Sequence, residues 1–381
     1  MKAGSWKKRL LRGLVILVCL YFVWLGAILL FYRARRVAPR EISPNEVQGV
    51  YHIHTAFSDG YRSLQKIAAT ASRQHLDFLI LADHGNPNQA SLASQGWHGD
   101  VLVLAGSELS VSRGHLVALD FRPPAGMFAQ NAEEAAEQVA AGGGFTVIAH
   151  PFSKTRWSWG NSAGYAGIEI INGDSMVKRN LARSIPYLPA FPISPRIFLL
   201  KTLMRPQQSL RKWDELGRSR PVYGYFAADA HLAYGALFPC FRLHVLLEGP
   251  LAREFDKARA QVFGSLRRGA FYCAIDAAEP ASGFDFWAER GGSRYAMGSS
   301  VRSEPSSRVE FRAKAAFPFA VEACLFRDGV AILRSEEPEI SFPVEGPGVY
   351  RIEVYLKGRS PLARDFPWIT SNPIYVREDG T

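Results

Sequence analysis

The first apolar segment of the chain is also its longest. Gly13–Tyr32 (GLVILVCLYFVWLGAILLFY) holds twenty residues without a charge. As a helix it rises roughly 30 Å, the thickness of a bilayer's hydrocarbon core. Basic clusters stand at both ends, which argues against a buried core helix. The run exceeds the apolar core of a cleavable signal peptide and ends in FYRARR rather than at a small-residue cleavage site. It reads as an uncleaved anchor over residues 1–40, with a transmembrane helix at about 13–32. A short polar linker with Pro39 and Pro44 follows over residues 33–48.

Beyond Gly49 the pattern becomes short apolar runs separated by helical stretches. The runs cover 49–54, 77–82, 101–106, 115–121, 145–149, 167–172 and 221–227. Their continuous apolar character predicts parallel strands covered on both faces. Alternation with helices predicts βαβ units closing into a barrel-like α/β domain over residues 41–280. Asn131 is placed to cap a helix that Gly142–Gly144 ends, and Ser63 precedes another, LQKIAATASRQ. A further helix is predicted over Leu251–Arg268. After about Gly283 come SRVEFRAKA, FAVEACLFRDG, GPGVYRIEVYL and NPIYV, spaced as in a small antiparallel β-sandwich over 281–381.

Residues 173–220 interrupt the alternation. They carry ten Lys/Arg, three acids, prolines at 186, 189, 192, 195 and 206, and the apolar patch IFLL at 197–200. A lid, a membrane-apposed segment and a solvated surface excursion all fit, and the charge density favours the last.

Composition changes the picture in one respect. The 381 residues carry a formal charge of +10, which invites a polyanionic partner. Nine of the 45 basic residues fall in positions 1–40, where there is no acid. The rest of the chain is therefore close to neutral, and only 173–220 is strongly basic. No basic track for a long polyanion exists outside that insert, so nucleic acid is expected only as a short substrate. Five basic residues precede the apolar run and four follow it, which places the body on the periplasmic or extracytoplasmic side. Cys19 lies in the anchor, and Cys240, Cys273 and Cys324 show neither disulfide nor metal spacing.

The chemistry concentrates at predicted strand ends. His52 and His54 are two apart on one strand, so they share a face. Asp59 follows in the turn SDG. Asp83-His84, Ser107-Glu108, His150 and the pair Asp229/His231 each end a run, and His115 opens one. Barrel active sites are assembled at such ends. Converging histidines and carboxylates call for cations, and a mixed N/O donor set suits two or three Zn, Mn or Fe ions. No GxSxG, Walker A or dinucleotide fingerprint competes.

In this order YHIHTAFSDG, LADHG, GSELS, GHLVAL, IAHPF and AADAH resemble the motifs of the PHP (polymerase and histidinol phosphatase) domain over about residues 49–275. The ending DFPWITSNPIYV resembles the C-terminal region of a branch that includes carbaryl-hydrolase-type metallohydrolases. The resemblance implies a distorted (β/α)7 barrel with a trinuclear metal centre. Carried over by motif, His52, His54, Glu108 and Asp229 would hold one metal. Glu108 would bridge to a second with His115 and His150, and Asp59, His84 and His231 would hold the third. A hydroxide bridging the two cations that share Glu108 would attack a small-molecule ester, with phosphomono- or phosphodiesters expected first. The same centre could serve a non-phosphate ester or carbamate, and a membrane-tethered binding protein with the barrel as scaffold is the alternative of another class. Asp83 is placed to orient His84, while Arg113, Lys154 and Arg156 lie in loops beside ligands as candidate substrate contacts. Glu169 and Asn172 on GIEIIN could face the site or be structural.

Overall fold

The computed structural model describes residues 3–34, 43–153, 156–161, 164–303, 309–344, 346–358 and 363–378. Helix α1 (Ala3–Ala34) contains the predicted apolar span; residues 35–42 of the predicted linker lie outside the described residues. The body begins with β1 (Glu46–Ile53), α2 (Leu64–Ser72), β2 (Phe78–Leu81), α3 (Gln89–Ala93), β3 (Gly96–His98) and β4 (Val101–Ala105). Next come β5 (Ser107–Val111), β6 (Gly114–Leu119), α4 (Ala132–Ala141), β7 (Phe145–Ile148) and β8 (Gly167–Asn172).

Strands β4, β2, β1, β9 (Tyr223–Ala230), β8 and β7 pair in parallel in that order. Their residues are buried almost throughout, as continuous apolar runs require. Strand β7 then pairs antiparallel with β6, and β6 with β5. Since β5 follows β4 across Gly106 alone, and Glu108 bridges to His84 just past β2, the sheet closes on itself. Strict strand–helix alternation does not hold. The run at 115–121 is antiparallel to both neighbours, because the connection Ser112–Arg113, with Gly114 at φ +135°, is far too short for a parallel crossover. Helix α4 starts as predicted, with the Asn131 side chain accepting from the Glu133 and Glu134 amides. Ser63 takes the extended cap conformation, but its side chain makes no cap hydrogen bond.

The basic stretch is not a solvated excursion. It folds as α5 (Gly173–Ser184), a 3₁₀ turn (Ile185–Ala190), α6 (Pro195–Thr202) and α7 (Gln207–Ser219). Ile197, Phe198, Leu199 and Leu200 are buried in the main core. Burial of four consecutive apolar side chains outweighs the solvation of the cations around them, of which Arg196, Lys201 and Arg205 are themselves half-buried.

After α8 (Tyr234–Leu237), β10 (Arg242–Leu246), α9 (Phe255–Arg267) and β11 (Phe271–Ala274), the chain enters a strand-rich region. It contains β12 (Asp285–Arg290), β13 (Ser293–Ala296), β14 (Ser300–Ser303), β15 (Val309–Lys314), β16 (Val321–Arg327) and β17 (Val330–Ser335). It ends with β18 (Glu339–Val344), β19 (Gly348–Leu356), β20 (Ile369–Ser371) and β21 (Ile374–Glu378). Two sheets face one another, with the Phe311 and Tyr350 rings 4.6 Å apart between them. One is the antiparallel sheet β13–β12–β15–β18. The other is hydrogen-bonded through β19–β20–β11–β10–β1 into the barrel sheet, and its β14–β21 pair is parallel.

A buried charge cluster sits at this junction. The His244 ring contacts Glu46 Oε1 at 2.8 Å through Nδ1 and Asp276 Oδ1 at 3.1 Å through Nε2. Burial alone would discharge the imidazole, but the two carboxylates push its pKa up to about 9. A pKa raised on folding stabilises fully below the unfolded value of about 6.5 and is lost as pH rises through the folded one. Stability is expected to fall by about 3 kcal/mol between pH 6.5 and 9 from this residue. Thermal unfolding of the protein across that range checks it, and His244→Gln should flatten the slope.

Candidate metal centre

Residues that end or follow the parallel strands converge at one mouth of the ring. His52 interrupts β1. Its backbone is left-handed (φ +65°), and the register with both neighbouring strands shifts there, so it forms a bulge. The bulge bends the chain so that His52 Nε2 and His54 Nε2 lie 3.1 Å apart. His150 and Asp229 are also left-handed, at φ +28° and +47°. Each such conformation costs about 1–3 kcal/mol and persists where surrounding structure imposes it. After His54 the chain turns tightly to bring back Asp59. Gly60 is required in that turn, since a Cβ there would lie 2.3 Å from the His54 carbonyl oxygen.

Glu108 is the hub. It is 1 % exposed, and Oε2 lies 3.4 Å from Nε2 of His52, 3.4 Å from Nε2 of His54 and 3.2 Å from His84 Nδ1. Oε1 meets His115 Nδ1 at 2.9 Å and His150 Nε2 at 3.0 Å. Asp229 Oδ1 lies 3.3 Å from His54 Nε2 and 3.6 Å from His231 Nδ1. Asp59 reaches His54 Nδ1 at 3.2 Å and His231 Nε2 at 3.2 Å. His54 and His231 stack with ring centres 4.1 Å apart.

Among the described residues, three groups of candidate ligands each have their ligand atoms within 4.8 Å of one another: His52/His54/Asp229, His84/Glu108/His115 and His54/Asp59/His84/His231. Eight of the nine expected ligands fall in these groups. The ninth, His150, contacts Glu108 directly. The partition differs from that implied by resemblance: His84 stands with Glu108 and His115 as well as with Asp59, and His54 joins both of the other groups.

Burial works against charge here, and the charges on facing groups overcome it. Glu108 is held well below the usual carboxylate range by His52, His115 and His150 against its burial. Burial would raise Asp59 and Asp229, but facing histidines hold both low. His52 is raised well above an ordinary imidazole despite burial, through Glu169, Asp229 and Glu108, and His150 is raised through Glu108 and Glu169. Burial depresses His84. The facing charges thus favour ionised carboxylates, and the raised His52 and His150 would each have to give up a proton to ligate a metal.

Glu169 is the residue whose role the sequence leaves open. Buried in β8, it takes His52 Nδ1 at 2.5 Å, the His150 amide at 2.7 Å and Asn172 Nδ2 at 2.8 Å. It fixes the His52 ring with Nε2 toward the centre. Asn172 also donates to Asp229 Oδ2 at 3.0 Å, while its Oδ1 caps α5. A lone acid in the apolar run GIEIIN is the signal, because a buried carboxylate must be paired. Asp83 does not orient His84. Its carboxylate accepts from the Thr55 amide (2.6 Å), Thr55 Oγ1 (3.0 Å), Ser58 Oγ (2.6 Å) and Ser91 Oγ, and so braces the loop carrying Asp59.

Of the three expected substrate cations, Arg113 is engaged away from the centre. Arg113 pairs with Glu133 at 2.8 Å and donates to the Ser158 carbonyl. Arg156 is exposed, and Lys154 lies outside the described residues. A cavity of about 310 Å³ instead joins His150, Glu169 and Asn172 to the insert, lined there by Met176, Arg179 and Arg205 among others.

No protein-family model and no curated protein matches the chain. Among solved structures, one similar fold is a two-domain protein from Bacteroides vulgatus containing a predicted PHP-like metal-dependent phosphoesterase. It is 12 % identical, with 89 % of this chain and 98 % of that one covered and a TM-score of 0.43. Another, from Bifidobacterium adolescentis, is named as a metal-dependent phosphoesterase (14 % identity, 56 % and 94 % covered, TM-score 0.32). A third is an amidohydrolase from Chromobacterium violaceum with bound sulfate and no metal (18 % identity, 48 % and 87 % covered, TM-score 0.29). Likeness at this level carries no functional argument, and the reading below rests on the site.

Proposed function

We propose that the protein is a membrane-anchored, metal-dependent hydrolase of PHP type, with phosphoesters of small molecules as its substrate class. One observation carries this: eight His and Asp side chains, brought in by β1, β2, β6, β7 and β9 and the turns that follow them, gather with the buried carboxylate of Glu108. The hairpin-interrupted ring is read as the distorted barrel of that family, covering residues 41–280, with the C-terminal 281–381 as its sandwich and α1 as its anchor. The donor set suits divalent cations: the buried His54 ring sets Nδ1 3.2 Å from the Asp59 carboxylate and Nε2 3.3 Å from that of Asp229, one nitrogen beside each of two candidate ligands.

When bound, two or three divalent ions would supply Lewis-acid polarisation of the ester oxygen and acidification of an attacking water. Glu108, with an oxygen facing each side, would bridge two of them. Glu169 accepts at His52 Nδ1 and turns Nε2 toward the centre, so that Nε2 would ligate once a bound cation displaced its proton. Asn172 keeps the Glu169 and Asp229 carboxylates in place, and Asp83 holds the loop of Asp59. Arg179, exposed in the cavity beside His150, is the cation offered to the non-reacting part of an anionic substrate.

Elemental analysis of the full chain in detergent is expected to find two to three divalent ions per chain. Hydrolysis across a panel of phosphomonoesters, phosphodiesters and aryl carboxylic esters should be lost with chelator and restored by Zn, Mn or Fe. Absence of metal together with absence of turnover overturns the proposal, as does a Glu108→Ala protein indistinguishable from the parent.

A further inference from the structure

Helix α1 does not leave the body as a free stalk. Tyr21, Leu25, Ile28, Leu29 and Tyr32, a stripe at helical spacing, face it, and Leu25 is buried. Tyr32 OH donates to the Ala277 carbonyl at 2.6 Å, while Tyr21 OH donates to the Pro186 carbonyl at 2.6 Å. The Trp24 and Tyr187 rings are 5.3 Å apart. Tyr21 lies about 16 Å along the helix from Tyr32. The 3₁₀ turn Ile185–Ala190 is therefore held against the middle of the charge-free run, and not at its end.

The segment that meets α1 there resembles it in chemistry. Between Arg183 and Arg196 the chain reads SIPYLPAFPISP, without one charge. Ile185, Leu188, Phe191 and Ile193 are 59, 56, 40 and 56 % exposed, and Leu181 precedes them at 48 %. Such a patch beside an apolar helix is not a surface built for water. Its backbone is also suited to a medium without hydrogen-bonding solvent. Prolines 186, 189, 192 and 195 remove four amide donors, and the Phe191, Ile193 and Ser194 amides bond to Leu188 and Ala190 carbonyls. Lys201, whose ammonium lies 5.7 Å from the Tyr187 ring centre, adds a cation at the root of the segment beside Arg183 and Arg196.

We infer that residues 185–193 are a second membrane contact, immersed in the acyl-chain layer of the leaflet that holds the C-terminal half of α1. The inference rests on the reading of α1 as a membrane anchor. It gives the insert a purpose: Ser175, Met176, Arg179 and Asn180 before the segment and residues 204–209 after it line the cavity next to His150, so the membrane-immersed loop and the cavity share their supports.

The test uses the full chain with Cys19 replaced by serine, reconstituted in phosphatidylcholine/phosphatidylglycerol vesicles. A nitrobenzoxadiazole probe is attached separately at Leu188→Cys, at Val23→Cys on α1 and at Val330→Cys on β17. Leu188, Val23 and Val330 are all exposed, so labelling leaves the core intact. The expected result is quenching by brominated acyl chains at position 188 comparable to that at 23, with none at 330. Quenching at 23 and a water-like signal at 188 overturns the inference while leaving the anchor standing. A shielded probe at 188 that brominated lipid does not quench also overturns it, since a protein surface then covers the patch. Water-like signals at both 23 and 188 overturn the anchor reading and the inference together.

Discussion

Replacing Glu108 with glutamine is expected to lower ester hydrolysis on the order of 10³-fold, the scale of losing a principal electrostatic element of an active site. Five histidines face this one carboxylate, and both of its oxygens are engaged. Glutamine keeps the shape and removes the charge, so the fold should survive while metal content drops. Glu169→Gln provides the graded comparison. Its carboxylate touches His52 Nδ1 rather than the centre, and the expected loss is 10–100-fold in metal affinity. Both follow from metal titration and steady-state rates on the same preparations. Equal, negligible losses in the two variants would show that the cluster is structural.

Arg351→Met is expected to destabilise the protein by about 3–5 kcal/mol, the cost of stranding a buried charge. The guanidinium, 1 % exposed, holds Asp214 of α7 with two bonds of 2.7 and 2.8 Å and reaches Glu353 at 2.6 Å. It lies over the Phe326 ring at 4.6 Å, and Arg205 of the insert binds the other side of Glu353. Removing Arg351 leaves Asp214 buried without its partner, whereas Arg351→Met combined with Asp214→Asn should recover part of the loss. Thermal unfolding of the three proteins reads the difference. A loss below about 1 kcal/mol would place this pair among exposed ion pairs of little consequence.

The parts of this protein that depend on near neighbours in the chain are legible in its sequence. The apolar span of α1, the buried strand runs, the α4 cap at Asn131 and the ligand types at strand ends are all of this kind. Each follows from backbone periodicity, side-chain solvation or a capping bond within a few residues. The nine ligand candidates can be picked out too, because they lie at or beside the ends of apolar runs, where a polar side chain breaks the pattern.

What required tertiary structure is everything that depends on which strands become neighbours. The run at 115–121 has the composition of a parallel strand, yet a two-residue connection makes it antiparallel. The bulge at His52 arises from pairing on both sides at once, and it decides where Nε2 points. Glu169 and Asp83 are acids in apolar surroundings whose partners come from distant segments, so the sequence shows that each needs partners without showing which. The insert is basic by count, but its position against α1 and the cavity is set by four buried apolar residues and by contacts more than a hundred residues apart. Local chemistry determines what each segment can be, and non-local pairing decides which side chains share the low-dielectric space where their charges act on one another.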